Sequence, residues 1–159
     1  MRSKIISLDQ LARISAEMRD AGKKLVATNG CFDLLHVGHV RYLEAARTLG
    51  DALVVGVNGD ASVRALKGDS RPLNREQDRA EVLAALSCVD AVAIFSEQRA
   101  THFLEVARPM IYAKGGDYTP ASLDAEEQRV LAAIGCEIKI IPFESGYSTT
   151  QLIEQMNCA

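Results

Sequence analysis

The amino-acid sequence predicts an α/β fold, with one doubly wound parallel sheet of five strands in a single domain. Short apolar runs alternate along the chain with segments of helical periodicity, which is typical of βαβ units. The run at 52–57 is apolar on both faces, as expected of a central parallel strand covered by helices on each side. The length of 159 residues suits one domain with a real core.

The first predicted element is an N-terminal helix. Ser7 and Gln10 have the spacing of a capping box. Apolar side chains then recur at helical spacing, and Gly22 is expected to end the helix. We treat residues 1–23 as this helix, without an assigned role, and 24–159 as the sheet-bearing part of the same structural domain.

The remaining elements alternate along the chain. Strands are predicted over 25–28, 52–57, 91–95, 110–113 and 138–141. Helices are predicted over 37–49, 60–66, 76–86, 101–107, 121–134 and 149–156, with a turn at Asn29 and Gly30 and a polar loop at 67–73. In such sheets, ligands bind outside the carboxyl ends of the strands. The loops expected to carry function are therefore 29–39, 58–60, 114–118 and 144–150.

Composition and charge exclude several classes of function. The formal net charge of −3 gives no basic footprint for nucleic acid. No apolar run approaches the roughly 20 residues that span a bilayer, and residues 1–22 lack the apolar core of a secretory signal. We therefore expect a cytoplasmic protein with no membrane partner. The four cysteines form no C-x-x-C pair and no zinc-site spacing, which indicates reduced, incidental thiols.

The segment after the first strand carries the strongest chemical signal. His36 and His39 are three residues apart at a predicted helix start, so they lie on one face beside free backbone N–H groups. Gly38 removes a side chain where a phosphate would approach the backbone. Imidazole can donate to phosphate oxygens and can gain charge near neutral pH. The pattern favours a phosphate site, although a surface pair or a metal site completed by His102 are the alternatives.

Several motifs in 30–156 resemble a known family. Residues 30–39 are similar to the signature of the cytidylyltransferase-like nucleotidyltransferases; they read Gly30-Cys31-Phe32-Asp33-Leu34-Leu35-His36-Val37-Gly38-His39. The motifs at 114–118 and 146–150 resemble those of D-glycero-β-D-manno-heptose 1-phosphate adenylyltransferase domains. The resemblance, which runs from about residue 24 to residue 156, implies a Rossmann-like nucleotidyltransferase fold over 24–159. It also implies a homodimer or higher homo-oligomer.

The expected activity is transfer of AMP from ATP to a sugar 1-phosphate, with Mg²⁺ bridging the phosphates and no dedicated protein ligands for the metal. Because no sugar kinase lies within this sequence, a separate kinase is expected to supply the acceptor. Alternatives are a cytidylyltransferase acting on glycerol 3-phosphate or phosphoethanolamine, an FMN adenylyltransferase, or a nucleotide-binding regulator without catalysis.

The site residues follow from these motifs. The expected catalytic residues are His36, His39 and Lys67. The expected nucleotide contacts are Asn29, Gly30, Cys31, Phe32, Gly38, Arg79, Lys114, Gly115, Asp117, Gly146, Ser148, Thr149 and Thr150. The expected acceptor contacts are Asp33, Asn58, Asp60 and Arg71.

Structural roles compete with several of these assignments. Lys67 and Arg71 are either a lid over the triphosphate or solvated loop cations, and Arg79 is either a ligand contact or part of an intrahelical ion pair. Ser148 is alternatively an ordinary helix cap, and the motif at 114–117 ordinary turn chemistry. Asp33 and Asp60 are equally turn or cap residues.

Overall fold

The computed structural model describes residues 4–142 and 146–158. In this part of the chain the strands are β1 (Leu25–Gly30), β2 (Ala52–Asn58), β3 (Ala91–Phe95), β4 (Ile111–Gly115) and β5 (Glu137–Ile141). The helices are α1 (Leu8–Asp20), α2 (Val37–Arg47), α3 (Asp60–Lys67), α4 (Glu76–Ala84), α5 (Thr101–Ala107), α6 (Ala125–Ala133) and α7 (Thr149–Asn157), with a 3₁₀ turn at Pro120–Ser122.

The five strands form one parallel sheet in the order β3-β2-β1-β4-β5, which confirms the predicted fold class. Helices cover both faces. On one face α2 and α4 bury Leu43 and Leu83. On the other, α1, α5 and α6 bury a second cluster that includes Leu11, Phe103 and Leu131. Strand order reverses between β1 and β4, so the segments that follow these two neighbours leave toward opposite faces and open a crevice there.

Helix α1 packs as part of this core. The side chain of Ser7 caps it, and the capping box with Gln10 is formed. Leu11 is fully buried against the cluster that α5 builds, and the buried hydroxyl of Ser15 donates to the carbonyl of Ala107. The N-terminal segment is therefore packed against the same sheet that carries the site.

Two local predictions were wrong. Asn29 and Gly30 do not form a turn, because they continue β1 and pair with Gly56 and Val57 of β2. The predicted helix over 121–134 is interrupted. It begins as the 3₁₀ turn and restarts as α6 after Asp124, whose carboxylate accepts from the backbone N–H groups of residues 126 and 127.

The packing of α1 can be tested by mutation. Leu11→Ala should lower the free energy of unfolding by ~2–5 kcal/mol, because a buried leucine is replaced by a cavity. Ile14→Ala, on the same helix but 37% exposed, is the matched control and should change it by less than about 1 kcal/mol. Urea unfolding measures both. Equal effects would contradict the packing of α1.

Candidate active site

A cleft of about 580 Å³ lies at the carboxyl ends of the strands, where β1 and β4 diverge. Thirteen of the predicted site residues line it: Asn29, Gly30, Cys31, Phe32, Asp33, His39, Asn58, Lys67, Arg71, Lys114, Gly115, Asp117 and Thr149. They come from the ends of β1, β2 and β4, from the loops at 31–33 and 71, and from helices α2, α3 and α7. The sequence therefore predicted the place of the cleft and much of its lining.

The histidine pair lies at the start of α2. His36 is the N-cap residue, and its backbone N–H donates to Nδ1 of His39 at 3.4 Å. The two rings stack, with their centroids 3.9 Å apart. His39 lines the cleft, whereas His36 is not part of the lining, and Nδ1 of His36 is buried without a hydrogen-bond partner among the described residues.

His39 enters the cleft as a neutral hydrogen-bond donor. Burial, together with the nearby His36 and the charge on Lys67, lowers the pKa of His39 to about 4. Because its Nδ1 accepts from the backbone, the proton of the neutral ring lies on Nε2. The first turn of α2 adds backbone N–H groups without helical partners. This arrangement suits oxygens of a bound polyphosphate.

Lys114 brings a buried positive charge to the end of β4. Its Nζ donates to Oδ1 of Asn29 at 3.0 Å and lies 5.2 Å and 4.8 Å from the ring centroids of Tyr112 and Tyr118. Burial lowers the pKa of Lys114, although neighbouring carboxylates oppose that shift. An ammonium has three donors, and within the described ranges only one is used in a hydrogen bond. Lys114 can therefore donate to an anion in the cleft.

Asp33 anchors a loop and has little surface left for an acceptor, which corrects its predicted role. Its carboxylate accepts from Nε of Arg71 at 2.6 Å and from the backbone N–H groups of Leu73 and Asn74 at 2.9 Å. The side chain is 1% exposed. Burial raises the pKa of Asp33, but these hydrogen bonds outweigh it and leave the pKa below its ordinary value. Arg71 also lines the cleft. Its Nη2 is buried without a hydrogen-bond partner among the described residues.

The prediction that Arg79 contacts the nucleotide is also corrected, whereas the acceptor contact of Asp60 stays a prediction. The side chain of Arg79 is 0% exposed, and neither residue lines the cleft. The guanidinium donates to the carbonyls of Cys31, Asn58 and Asn74 and to Oδ1 of Asp60. None of these partners lies on α4 with Arg79, so the intrahelical ion pair is wrong too. Arg79 instead ties the ends of β1 and β2 to α4.

The start of α7 faces the histidine loop. Thr149 lines the cleft, and its hydroxyl donates to the carbonyl of Leu34 at 3.1 Å. Ser148 caps the helix by accepting from the backbone of Gln151. Gly38, Gly146, Ser148 and Thr150 do not line the cleft, so their nucleotide contacts stay predictions.

Other cleft residues were not predicted: Tyr42, Leu66, Gln98, Arg99, Tyr118, Leu123, Asp124 and Glu127. Tyr42 lies three residues after His39 on α2, so helical spacing could have indicated it. Its hydroxyl donates to the carbonyl of Ala113 at 2.9 Å. Glu127, with an oxygen that accepts from the backbone of Ala100 at 3.0 Å, carried no signal in the sequence.

The geometry gives little support to a metal site completed by His102 or to a nucleophilic role for Cys31. Within 4–142 and 146–158, no three His, Cys, Asp or Glu side chains converge as a metal site. His102 lies outside the cleft, on α5, 3.7 Å from a carboxylate oxygen of Glu105. Burial raises the pKa of Cys31, so its thiol is protonated at neutral pH and is a poor nucleophile. None of the described helices is long and apolar enough to cross a membrane.

The protonation state of His39 is directly measurable. In a pH titration by NMR, the His39 ring should titrate with a pKa of about 4 and carry its proton on Nε2 at pH 7. Added pyrophosphate should raise this pKa, because negative charge favours imidazolium. Spectra of His39→Asn assign the signals. A pKa near the ordinary 6.5 or a proton on Nδ1 would count against the assignment.

Comparison with known proteins gives consistent results. Residues 27–155 match the family described as Cytidylyltransferase-like. The bifunctional protein HldE of Geotalea uraniireducens is 52% identical over 154 residues, which cover 97% of this chain and 31% of that protein. The HldE protein of Pelobacter propionicus is 50% identical with the same coverage. The chain thus spans about a third of the length of these curated relatives.

Solved structures agree with the fold. The lipopolysaccharide core biosynthesis protein from Thermoplasma volcanium superposes with a TM-score of 0.64 at 30% identity, covering 80% of this chain and 100% of that chain. Pantoate-beta-alanine ligase from Francisella tularensis superposes with a TM-score of 0.60 over 97% of this chain and 76% of its own, but at 15% identity it shows the fold alone. Because residues 27–155 match the family, this chain belongs to the cytidylyltransferase-like family.

Proposed function

We propose that this chain transfers the adenylyl group of ATP to D-glycero-β-D-manno-heptose 1-phosphate and releases pyrophosphate. The observation that carries the proposal is the set of donors in one cleft: Nε2 of His39 beside the cations of Lys67 and Lys114. Support for the acceptor comes from the motifs at 114–118 and 146–150 and from HldE relatives at about 50% identity. The Thermoplasma protein, described as acting in lipopolysaccharide core biosynthesis, also supports it.

The reaction needs alignment and charge stabilisation more than covalent chemistry from the protein. An oxygen of the acceptor phosphate attacks the α-phosphorus, and the bond from that phosphorus to the bridging oxygen breaks as pyrophosphate leaves. Neutral His39 donates to the phosphate oxygens together with His36, and Lys67 balances the triphosphate charge. Because the acceptor phosphate is already an anion, no general base is required.

Each substrate meets a different part of the cleft in this proposal. The nucleotide contacts Asn29 and Lys114, at the ends of β1 and β4, and Asp117, which follows β4. It also contacts Thr149 of α7. The unpartnered Nη2 of Arg71 supplies a charged donor for the acceptor phosphate. Asn58, at the end of β2, donates its amide N–H groups to Ser62 and to the carbonyl of Gln98, so its amide oxygen is what it offers to the acceptor's hydroxyls.

The residues present fit a Mg²⁺ ion that arrives with the triphosphate. The described residues offer no cluster that would hold the ion alone, and Mg²⁺ keeps several waters when phosphates bind it. Asp117 on the cleft wall is one of the carboxylates that would hold such a water. Bound there, Mg²⁺ supplies neutralisation of the phosphate charge.

The chemistry of the acceptor also bears on partners. A kinase can supply the phosphate group of a sugar 1-phosphate, and the relatives of which this chain spans 31% are called bifunctional. We propose that such a kinase acts before this chain, that the reaction takes place in the cytoplasm where ATP is available, and that the chain forms a homo-oligomer.

Replacement of His39 tests the proposed mechanism. His39→Ala should lower kcat by ~10²–10³, the usual effect of losing one preorganised donor to developing charge. Pyrophosphate release measures the rate, and circular dichroism checks the fold. His102→Ala, on α5 outside the cleft, is the control and should keep the wild-type rate. Near-wild-type turnover of His39→Ala would contradict the proposal.

The identity of the substrates is tested with a matrix of donors and acceptors. ATP and CTP are each combined with the heptose 1-phosphate, glycerol 3-phosphate, phosphoethanolamine and FMN, and pyrophosphate is measured. Only ATP with the sugar 1-phosphate should support rapid release. Faster turnover of any other pair would contradict the proposed substrates and identify that pair instead. ATP binding without pyrophosphate release from any acceptor would indicate a nucleotide-binding regulator.

A further inference from the structure

The His36 imidazole lacks one of the hydrogen bonds that its ring nitrogens could make. Its Nδ1 is buried and has no hydrogen-bond partner among the described residues, so no hydrogen bond at that atom sets the orientation of the ring. Two other rings lie close to the imidazole. The ring of His39 is 3.9 Å away, centroid to centroid, at an angle of 33°, and that of Tyr147 is 6.3 Å away at 21°.

The ring of Tyr147 contacts two side chains near the start of α2, those of His36 and Arg41. Tyr147 directly precedes Ser148, the N-cap of α7. Two residues on, the hydroxyl of Thr149 joins this turn to the histidine loop at the carbonyl of Leu34. The guanidinium of Arg41, one turn along α2, lies 5.7 Å from the centroid of the tyrosine ring. The tyrosine ring, in a residue that is 45% exposed, therefore lies against the start of α2.

Gly38 allows this approach. A Cβ at position 38 would lie 3.0 Å from Cβ of Tyr147 and 3.0 Å from two atoms of the His36 ring, closer than ordinary contacts. The space that a side chain would fill is occupied by the stacked pair. The glycine between the two histidines therefore serves the packing of Tyr147 onto His36, whether or not a phosphate approaches the same backbone.

We propose that Tyr147 is a positioning residue, whose ring sets the orientation of the His36 imidazole for nucleotidyl transfer. The proposal rests on the proposed function, because it needs His36 to act on the phosphates. Stacking suits the task, since it restrains the plane of the imidazole and leaves its outer nitrogen for a ligand. Tyr147 does not line the cleft, and it stacks on the ring of His36, so we assign it a role through His36.

Two substitutions of Tyr147 separate positioning from other roles. Tyr147→Ala should lower kcat about 10-fold, the loss expected for one aromatic pair, while KM for ATP changes by less than about 2-fold. Tyr147→Phe keeps the ring and should restore kcat. Met156→Ala, at a residue 73% exposed on the helix α7 that follows Tyr147, is the control for local damage to α7.

NMR of the His36 ring provides a readout independent of activity. Burial lowers the pKa of His36 in the intact protein, so uncovering its ring in Tyr147→Ala should raise that pKa, and Tyr147→Phe should leave it unchanged. A Tyr147→Ala variant with wild-type kcat and an unshifted His36 overturns the proposal. A rise in KM for ATP at constant kcat also overturns it, because it assigns Tyr147 to nucleotide binding. If the wild-type chain transfers no nucleotide, the proposed function fails separately, and the titration alone decides whether Tyr147 holds His36.

Discussion

The reversal of strand order between β1 and β4 is the constraint on which the rest of the structure depends. All five strands are parallel, so their carboxyl ends share one edge of the sheet. The chain leaves β1 toward the face covered by α2 and leaves β4 toward the face covered by α6. The cleft opens between these two exits. The histidine loop and Lys114 meet there because the topology brings their strands side by side.

The site combines a neutral imidazole with cations that are partly removed from water. Lys114 is 8% exposed, and Arg71 keeps one guanidinium nitrogen buried and unpartnered among the described residues. An anion in the cleft would interact with these charges more strongly than in bulk water. Arg79 contributes by fixing the loops, because its four hydrogen bonds join three backbone carbonyls and Asp60. Donors held in this way need little reorganisation when charge develops.

Sequence reasoning predicted the sheet, its helices and the position of the cleft, because hydrophobic periodicity and the rule for parallel sheets are local or topological. It misassigned residues whose role depends on long-range contacts. Arg79 was expected to pair along its helix or meet a ligand, but its partners lie up to 48 positions away in sequence. The carboxylate of Asp33 accepts hydrogen bonds from residues of a loop 38 to 41 positions away. Glu127 reaches the cleft through the packing of α6 against α5, which no short motif encodes.

The most direct measurement of the central claim is a crystal structure of the protein with α,β-methylene-ATP, which cannot release pyrophosphate at the α-phosphorus. The account predicts the triphosphate at the β1–β4 divergence, with Nε2 of His39 and Nζ of Lys114 within hydrogen-bond distance of phosphate oxygens. A nucleotide bound with its phosphates elsewhere on the chain, and the cleft filled only by solvent, would contradict the account.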